Sequence, residues 1–301
     1  MVYRKKIMKI NKYPMLDGST IKKSHAVYDV FYNNFSFNDQ IDNKSYPLTL
    51  TLHPAEVAAG LSSKDDDRSV EYVFNDNGFR CDNFKKNHDG IHILFAGCSE
   101  TEGVGGNLDS CWAYMLYEEI IKYNKISGYF NIGKSGFGWQ KIISNCLVYF
   151  DKVAVPDYLF IMLPDVNRFF NWKDNVGSWT YDQNHDLDFQ THQKNIIDMI
   201  LSWKLFLKFC KEKNIKLLFS TFDMFNNSYI IEAQIDNFIV FNYSDKILKK
   251  IIDEEIIYNK NKKEIFLEKR DGHQGYGKHI LWKNIFIDKI KEKRYENLVI
   301  L

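Results

Sequence analysis

Three short stretches of this 301-residue chain carry the residue types that nucleophilic chemistry needs. In Gly97-Cys98-Ser99-Glu100-Thr101-Glu102-Gly103 a hydroxyl follows an apolar run, 91–96, that reads as a buried strand. A hydroxyl at the tip of a parallel strand stands where open α/β sheets place their chemistry. In Asp271-Gly272-His273 a carboxylate precedes an imidazole by two positions on a turn. The carboxylate can fix the ring's tautomer and stabilise the imidazolium formed when the ring takes a proton. Donors for a developing oxyanion are the N–H of Ser99, the N–H of Gly136 in Asn131-Ile132-Gly133-Lys134-Ser135-Gly136, and the Asn167 amide. A glycine lets its N–H be approached closely, and one such donor is typically worth about 2.7–4 kcal/mol of transition-state stabilisation. The constellation therefore assigns Ser99 as nucleophile, His273 as base and Asp271 as the orienting acid.

Each of these residues also has a plainer reading. A serine after a strand is a good helix N-cap. A histidine on a turn is commonly a surface or capping residue, and His279, six positions on, is an alternative base. Arg80 reads as a structural or surface ion-pair partner before it reads as a substrate anchor. The stretch 128–135 also matches Gly-x4-Gly-Lys-Ser, the phosphate-binding loop, with the apolar run 159–163 and Asp165 behind it. Its context is against that reading: helix-like residues precede it, its variable positions are Tyr, Phe, Asn and Ile, and helix resumes only near Gly138.

The elements that must position these residues can be read from periodicity. Strands are expected over 91–96, 128–132, 158–163 and 217–221, and helices over 108–123, 139–149, 190–214, 247–257 and 275–293. Residues 1–88 read as a cap with short strands near 49–52 and 70–74, and residues 89–301 as the main domain. Residues 167–188 read as a long polar, Trp-rich loop, whose aromatics, Phe169 to Tyr181, form either a local cluster or a stacking wall for a sugar ring. Strands alternating with helices imply a mostly parallel sheet covered on both faces.

Composition narrows the class. A net charge of +1 argues against a dedicated nucleic-acid binder. No apolar run approaches the ~20 residues that span a membrane, and the first residues lack the apolar centre of a secretion signal. Five scattered cysteines fit reduced thiols rather than a disulfide framework. The expected location is the cytoplasm, or a particle assembled there. No His or Cys spacing suggests a metal, and no cofactor is expected.

Four blocks, in order, resemble those of the SGNH (GDSL-type) hydrolases, over roughly residues 70–290. The first is 97–103, with Cys98 where the family has Asp and the nucleophile at Ser99. The second is 131–138, with Gly136 as its glycine. The third is Leu163-Pro164-Asp165-Val166-Asn167, in place of Gly-x-Asn-Asp, where Asn167 or Asp165 stands at the donor position. The last is 271–273. The stretch 75–80 is similar to a lead-in that many members carry. The resemblance implies a flavodoxin-like three-layer α/β/α sandwich with an N-terminal cap. It also implies a serine ester hydrolase acting on small acyl, acetyl-type esters, with an acylated glycan as a plausible substrate and acyl transfer as a variant outcome. The alternatives are a glycan-binding or structural protein on a decayed site, and a phosphate-loop nucleotide enzyme using 128–135.

Overall fold

Two central strands of this chain are apolar at almost every position, which only a sheet covered on both faces can bury. We describe residues 48–51, 70–164, 168–173, 176–181, 189–221, 230, 239, 253, 273, 275–293 and 298–300 of a computed structural model. In chain order the elements are β1 (Leu48–Leu50), β2 (Tyr72–Phe74), β3 (Ile93–Gly97), α1 (Ser99–Glu102), a 3₁₀ turn at Leu108–Ser110, α2 (Trp112–Ile121), β4 (Phe130–Asn131), α3 (Trp139–Lys152), β5 (Tyr158–Leu163), β6 (Arg168–Lys173), β7 (Val176–Tyr181), α4 (Phe189–Glu212), β8 (Lys216–Thr221) and α5 (Tyr276–Lys293).

The main sheet has the order β4-β3-β5-β8, with every pair parallel. Alternate side chains go to opposite faces. Leu94, Ala96, Leu159, Ile161, Leu163, Leu217 and Phe219 meet Trp139, Ile142 and Cys146 of α3 and Met199, Trp203 and Phe206 of α4. Ile93, Phe95, Tyr158, Phe160, Met162 and Leu218 meet Trp112, Leu116 and Ile120 of α2 and Trp282, Phe286 and Ile290 of α5. These helices bury residues three or four apart, the spacing of one helical face, and each large side chain so buried stabilises by roughly 1.5–3 kcal/mol. The result is the expected three-layer sandwich of flavodoxin-like type. Chain order reverses between β3 and β5, the switch point where open α/β sheets leave a crevice at the strands' carboxyl ends.

Two expectations change. The helix expected over 108–123 begins as the 3₁₀ turn, is interrupted at extended Cys111 (ψ 132°) and continues as α2. The loop expected over 167–188 contains the antiparallel pair β6–β7, with Lys173 opposite Val176 and two residues between them. The helix expected over 247–257 lies outside the described residues apart from Asp253, which is helical. A smaller ribbon, β1–β2, packs Val70, Tyr72 and Phe74 with Leu50. Tyr72 ties it to the sheet domain by accepting the Gly105 N–H at 2.9 Å. Among the described residues no helix is long and apolar enough to cross a membrane.

Candidate active site

Ser99 is the first residue of α1, directly beyond the carboxyl end of β3 and buried. Being first, its N–H has no acceptor within the helix. The turn is tight: a Cβ at Gly97 would collide with Thr101 Oγ1 and sit 2.8 Å from Met162 O. α1 is only four residues long, yet its carbonyls are held. Cys98 O accepts from Thr101 and Glu102, and Ser99 O from Gly103 and Val104. Thr101 O accepts Asn131 Nδ2 at 2.6 Å and the Cys111 thiol at 3.3 Å. So short a helix could not hold itself; its neighbours fix it.

The second block is docked onto this helix. Lys134 N–H donates to Gly97 O at 3.1 Å, Gly133 N–H to Asn131 Oδ1 at 2.8 Å, and Ser135 N–H to Glu102 Oε2 at 2.7 Å. Gly136 follows, exposed, at φ 78°. That left-handed conformation is what requires glycine here. Among the described residues nothing lies within 4 Å of where its Cβ would be, so none of them forces the residue type.

Helix α5 reaches the same rim through His279. His279 Nε2 lies 3.5 Å from Glu100 Oε2, and its Nδ1 accepts the Trp112 N–H at 3.2 Å. With Nδ1 an acceptor, the neutral ring carries its proton on Nε2, facing the carboxylate. Both ring nitrogens are thereby engaged away from Ser99, so His279, the alternative base, instead joins α5 to α1 and α2. The hydrogen bonds of α5 begin at Gly275 O. At ~1.5 Å per residue its start lies about 6 Å along the axis from His279. His273, half-buried, stands two residues before Gly275.

Ser99 Oγ has Cys98 Sγ as its partner, 3.9 Å away; no hydrogen bond to His273 is among those described for it. Burial pushes the Cys98 thiol up, and the charge of Arg168 opposes that shift. Cys98 is thus a neutral neighbour in the position where the resembled family has a carboxylate. Asp271, Asn167 and Asp165 lie outside the described residues, as do the side chains of the aromatic stretch from Phe169 to Tyr181.

Two basic residues are buried and held within the protein. Lys134, the lysine of the phosphate-loop match, is buried, with Nζ 2.6 Å from Glu102 Oε1 and donating to Gly78 O at 2.8 Å. The strand lies inside that motif, at Phe130–Asn131, and α3 starts only at Trp139. Neither a free lysine nor a helix start is available to phosphates, which overturns the nucleotide alternative. Arg80, also buried, gives Nη1 to Gly103 O at 2.6 Å and Gly106 O at 3.0 Å, and Nη2 to Glu71 O at 3.0 Å, while stacking over Tyr72. It is structural, through carbonyls rather than an ion pair. Glu100, Glu102 and Asn131 went unassigned as side chains in the sequence. Their signal was a carboxylate or amide inside an otherwise apolar neighbourhood.

No family model matches the chain, and no curated protein matches it in sequence. Solved structures do resemble it. The protein YxiM of Bacillus subtilis matches at 11% identity and a TM-score of 0.41, over 69% of this chain and 58% of its own, so this chain spans less than two thirds of that neighbour. A Desulfitobacterium hafniense protein named for the lipolytic G-D-S-L family matches at 16% identity and 0.35, over 64% of this chain and 95% of its own. A Bacteroides fragilis protein named as an acylhydrolase matches at 14% identity and 0.34, over 69% and 90%. Two of these three neighbours thus bear lipolytic or acylhydrolase names, and this chain is similar to them in structure.

Proposed function

We propose that this chain is a serine ester hydrolase that removes small acyl groups, of acetyl type, with an acylated glycan as the substrate class. Ser99 Oγ attacks the acyl carbonyl carbon, His273 accepts its proton and returns it to the leaving alcohol, and Asp271 orients the imidazole. The N–H groups of Ser99 and Gly136, with the Asn167 amide, receive the oxyanion. Water, deprotonated by His273, then releases the acid and restores Ser99. An alcohol in place of water would make the same machinery an acyl transferase.

The observation that supports this reading most is the position of Ser99. It opens a helix at the β3/β5 switch point, on a four-residue segment held by hydrogen bonds from Asn131, Cys111 and Ser135. Such rigidity suits a nucleophile that must meet preorganised donors. The Ser99–Cys98 contact is compatible, because catalytic hydrogen bonds are often long in an empty site and form with substrate. Labelling with a fluorophosphonate probe, wild type against Ser99→Ala, is the test. Label lost in the variant agrees with the proposal. Wild-type protein that takes no label and leaves short p-nitrophenyl esters intact would favour a glycan-binding or structural protein on this fold.

A further inference from the structure

Ser99 and Gly136 sit on two separate segments, and one buried carboxylate joins them. Glu102 ends the helix that Ser99 begins. Its Oε2 accepts the Ser135 N–H at 2.7 Å, one residue before Gly136, while its Oε1 is 2.6 Å from Lys134 Nζ. Lys134 is held in turn by Gly78 O at 2.8 Å, with the Phe74 ring 4.8 Å below it. The segments touch here: a Cβ on Gly133 would lie 2.8 Å from Thr101 Cβ and 2.9 Å from Glu102 N.

We infer that Glu102 and Lys134 are positioning residues of the Ser99 site, setting the place of the Gly136 N–H relative to the Ser99 hydroxyl; this rests on the ester-hydrolase reading above. Fold stability alone does not call for such a pair. Well-packed apolar residues of similar volume generally replace a buried ion pair at no loss. An apolar pair, however, cannot accept the Ser135 N–H. The carboxylate does so, and the ammonium keeps that carboxylate ionised and fixed.

Lys134 also titrates. Burial pulls Lys134 down to about 8 against the pull of Glu102. Among the described residues the Cys81 thiol also faces it, pushed up to about 12 by burial and so neutral. Arg80 on the same segment is directed at the carbonyls of Gly103 and Gly106. Deprotonation of Lys134 removes the charge that faces Glu102 Oε1 and so loosens the carboxylate that accepts the Ser135 N–H.

The experiment is hydrolysis of p-nitrophenyl acetate across pH by the full chain, as wild type, Lys134→Met and Glu102→Gln, with thermal melting of each and fluorophosphonate labelling of the wild type. Lys134→Met is expected to lower kcat by about 10- to 100-fold, less than the 10²- to 10³-fold of deleting an oxyanion donor. KM should stay within about twofold, as for an interaction made in the transition state. The wild-type profile should fall near pH 8, and Lys134→Met should lack that limb. Glu102→Gln keeps an oxygen for the Ser135 N–H and should lose less. Folded variants with wild-type kcat and the same alkaline limb would overturn the positioning role. Should Lys134→Met not fold, Glu102→Leu, which cannot accept the Ser135 N–H, takes its place, and an unchanged kcat there overturns the role. Labelled, active wild type beside unaffected variants sinks only the pair; wild type that neither labels nor turns over sinks the hydrolase reading and the pair's role with it.

Discussion

The two rims of the main sheet are built from different chemistry. At the carboxyl ends of the strands Arg80, Glu100, Glu102, Lys134 and His279 are all buried. At the opposite rim, before β3, His92 is buried, stacked at 3.7 Å on His88 and bonded through Nε2 to the Tyr149 hydroxyl at 2.9 Å, among Phe84, Phe130 and Tyr149. Burial drives His92 down to about 3, with the neighbouring His88 adding to the effect, so this buried ring is neutral near pH 7. Burying an ion costs several kcal/mol before its partners offset it. The fold concentrates that cost on the rim where Ser99 opens its helix, and closes the other rim with aromatic packing.

Variants at each rim can break this contrast. The largest effect is expected at Ser99: Ser99→Ala should lower kcat by about 10⁴-fold or more while leaving the melting temperature near wild type, as for other nucleophile deletions. A fall in melting temperature that matches the loss of activity would instead make Ser99 a structural cap. Next comes Arg80. Arg80→Met strips three carbonyl oxygens of their donor, and each buried unsatisfied group costs about 1–3 kcal/mol. Denaturant unfolding should therefore show a loss of about 3 kcal/mol; a loss below 1 kcal/mol would mean that the clamp is dispensable.

The opposite rim should answer to acid. His92 has a folded pKa of about 3, below its ordinary 6.5, so between these values the unfolded chain binds the extra proton. Stability is then lost as pH falls from 6.5 toward 3, by about 2 kcal/mol at pH 5. His92→Gln does not titrate and can still bond Tyr149, so its stability should vary less over that window. Parallel wild-type and variant curves would contradict the neutral buried state. The smallest effect belongs to neither rim. Lys194 and Asp198 form an exposed i,i+4 pair at 2.8 Å on α4, and Lys194→Ala should change stability by about 0.5 kcal/mol or less.

How much could be read in advance varied along the chain for physical reasons. β5 spans the residues expected of it because a six-residue apolar run between two prolines has few alternatives. The hairpin β6–β7 was not read in advance: its two runs carry aromatic and β-branched residues, but the polar residues among them gave the whole stretch the look of a loop, and Asp174-Asn175 lacks the glycine that marks a tight hairpin turn. The block around Ser99 was visible because glycine, serine and threonine spacing is local. Asp271 and Asn167 remain proposals on that local pattern alone.

By itself the sequence determined where the four strands of the main sheet lie, which of them carries Ser99 at its tip, and that the sheet is parallel and doubly covered. These follow from periodicity, turn residues and connection lengths, all of which act over a few neighbours in the chain. Only the tertiary structure decided what the charged residues are for. Lys134 meets Glu102 across 32 positions, Arg80 meets Gly103 across 23, and His279 meets Trp112 across 167. A charge has no intrinsic preference for one distant partner over another. Burial selects the partner, because once packing removes water the group must take whichever carbonyl, carboxylate or N–H the fold has brought beside it.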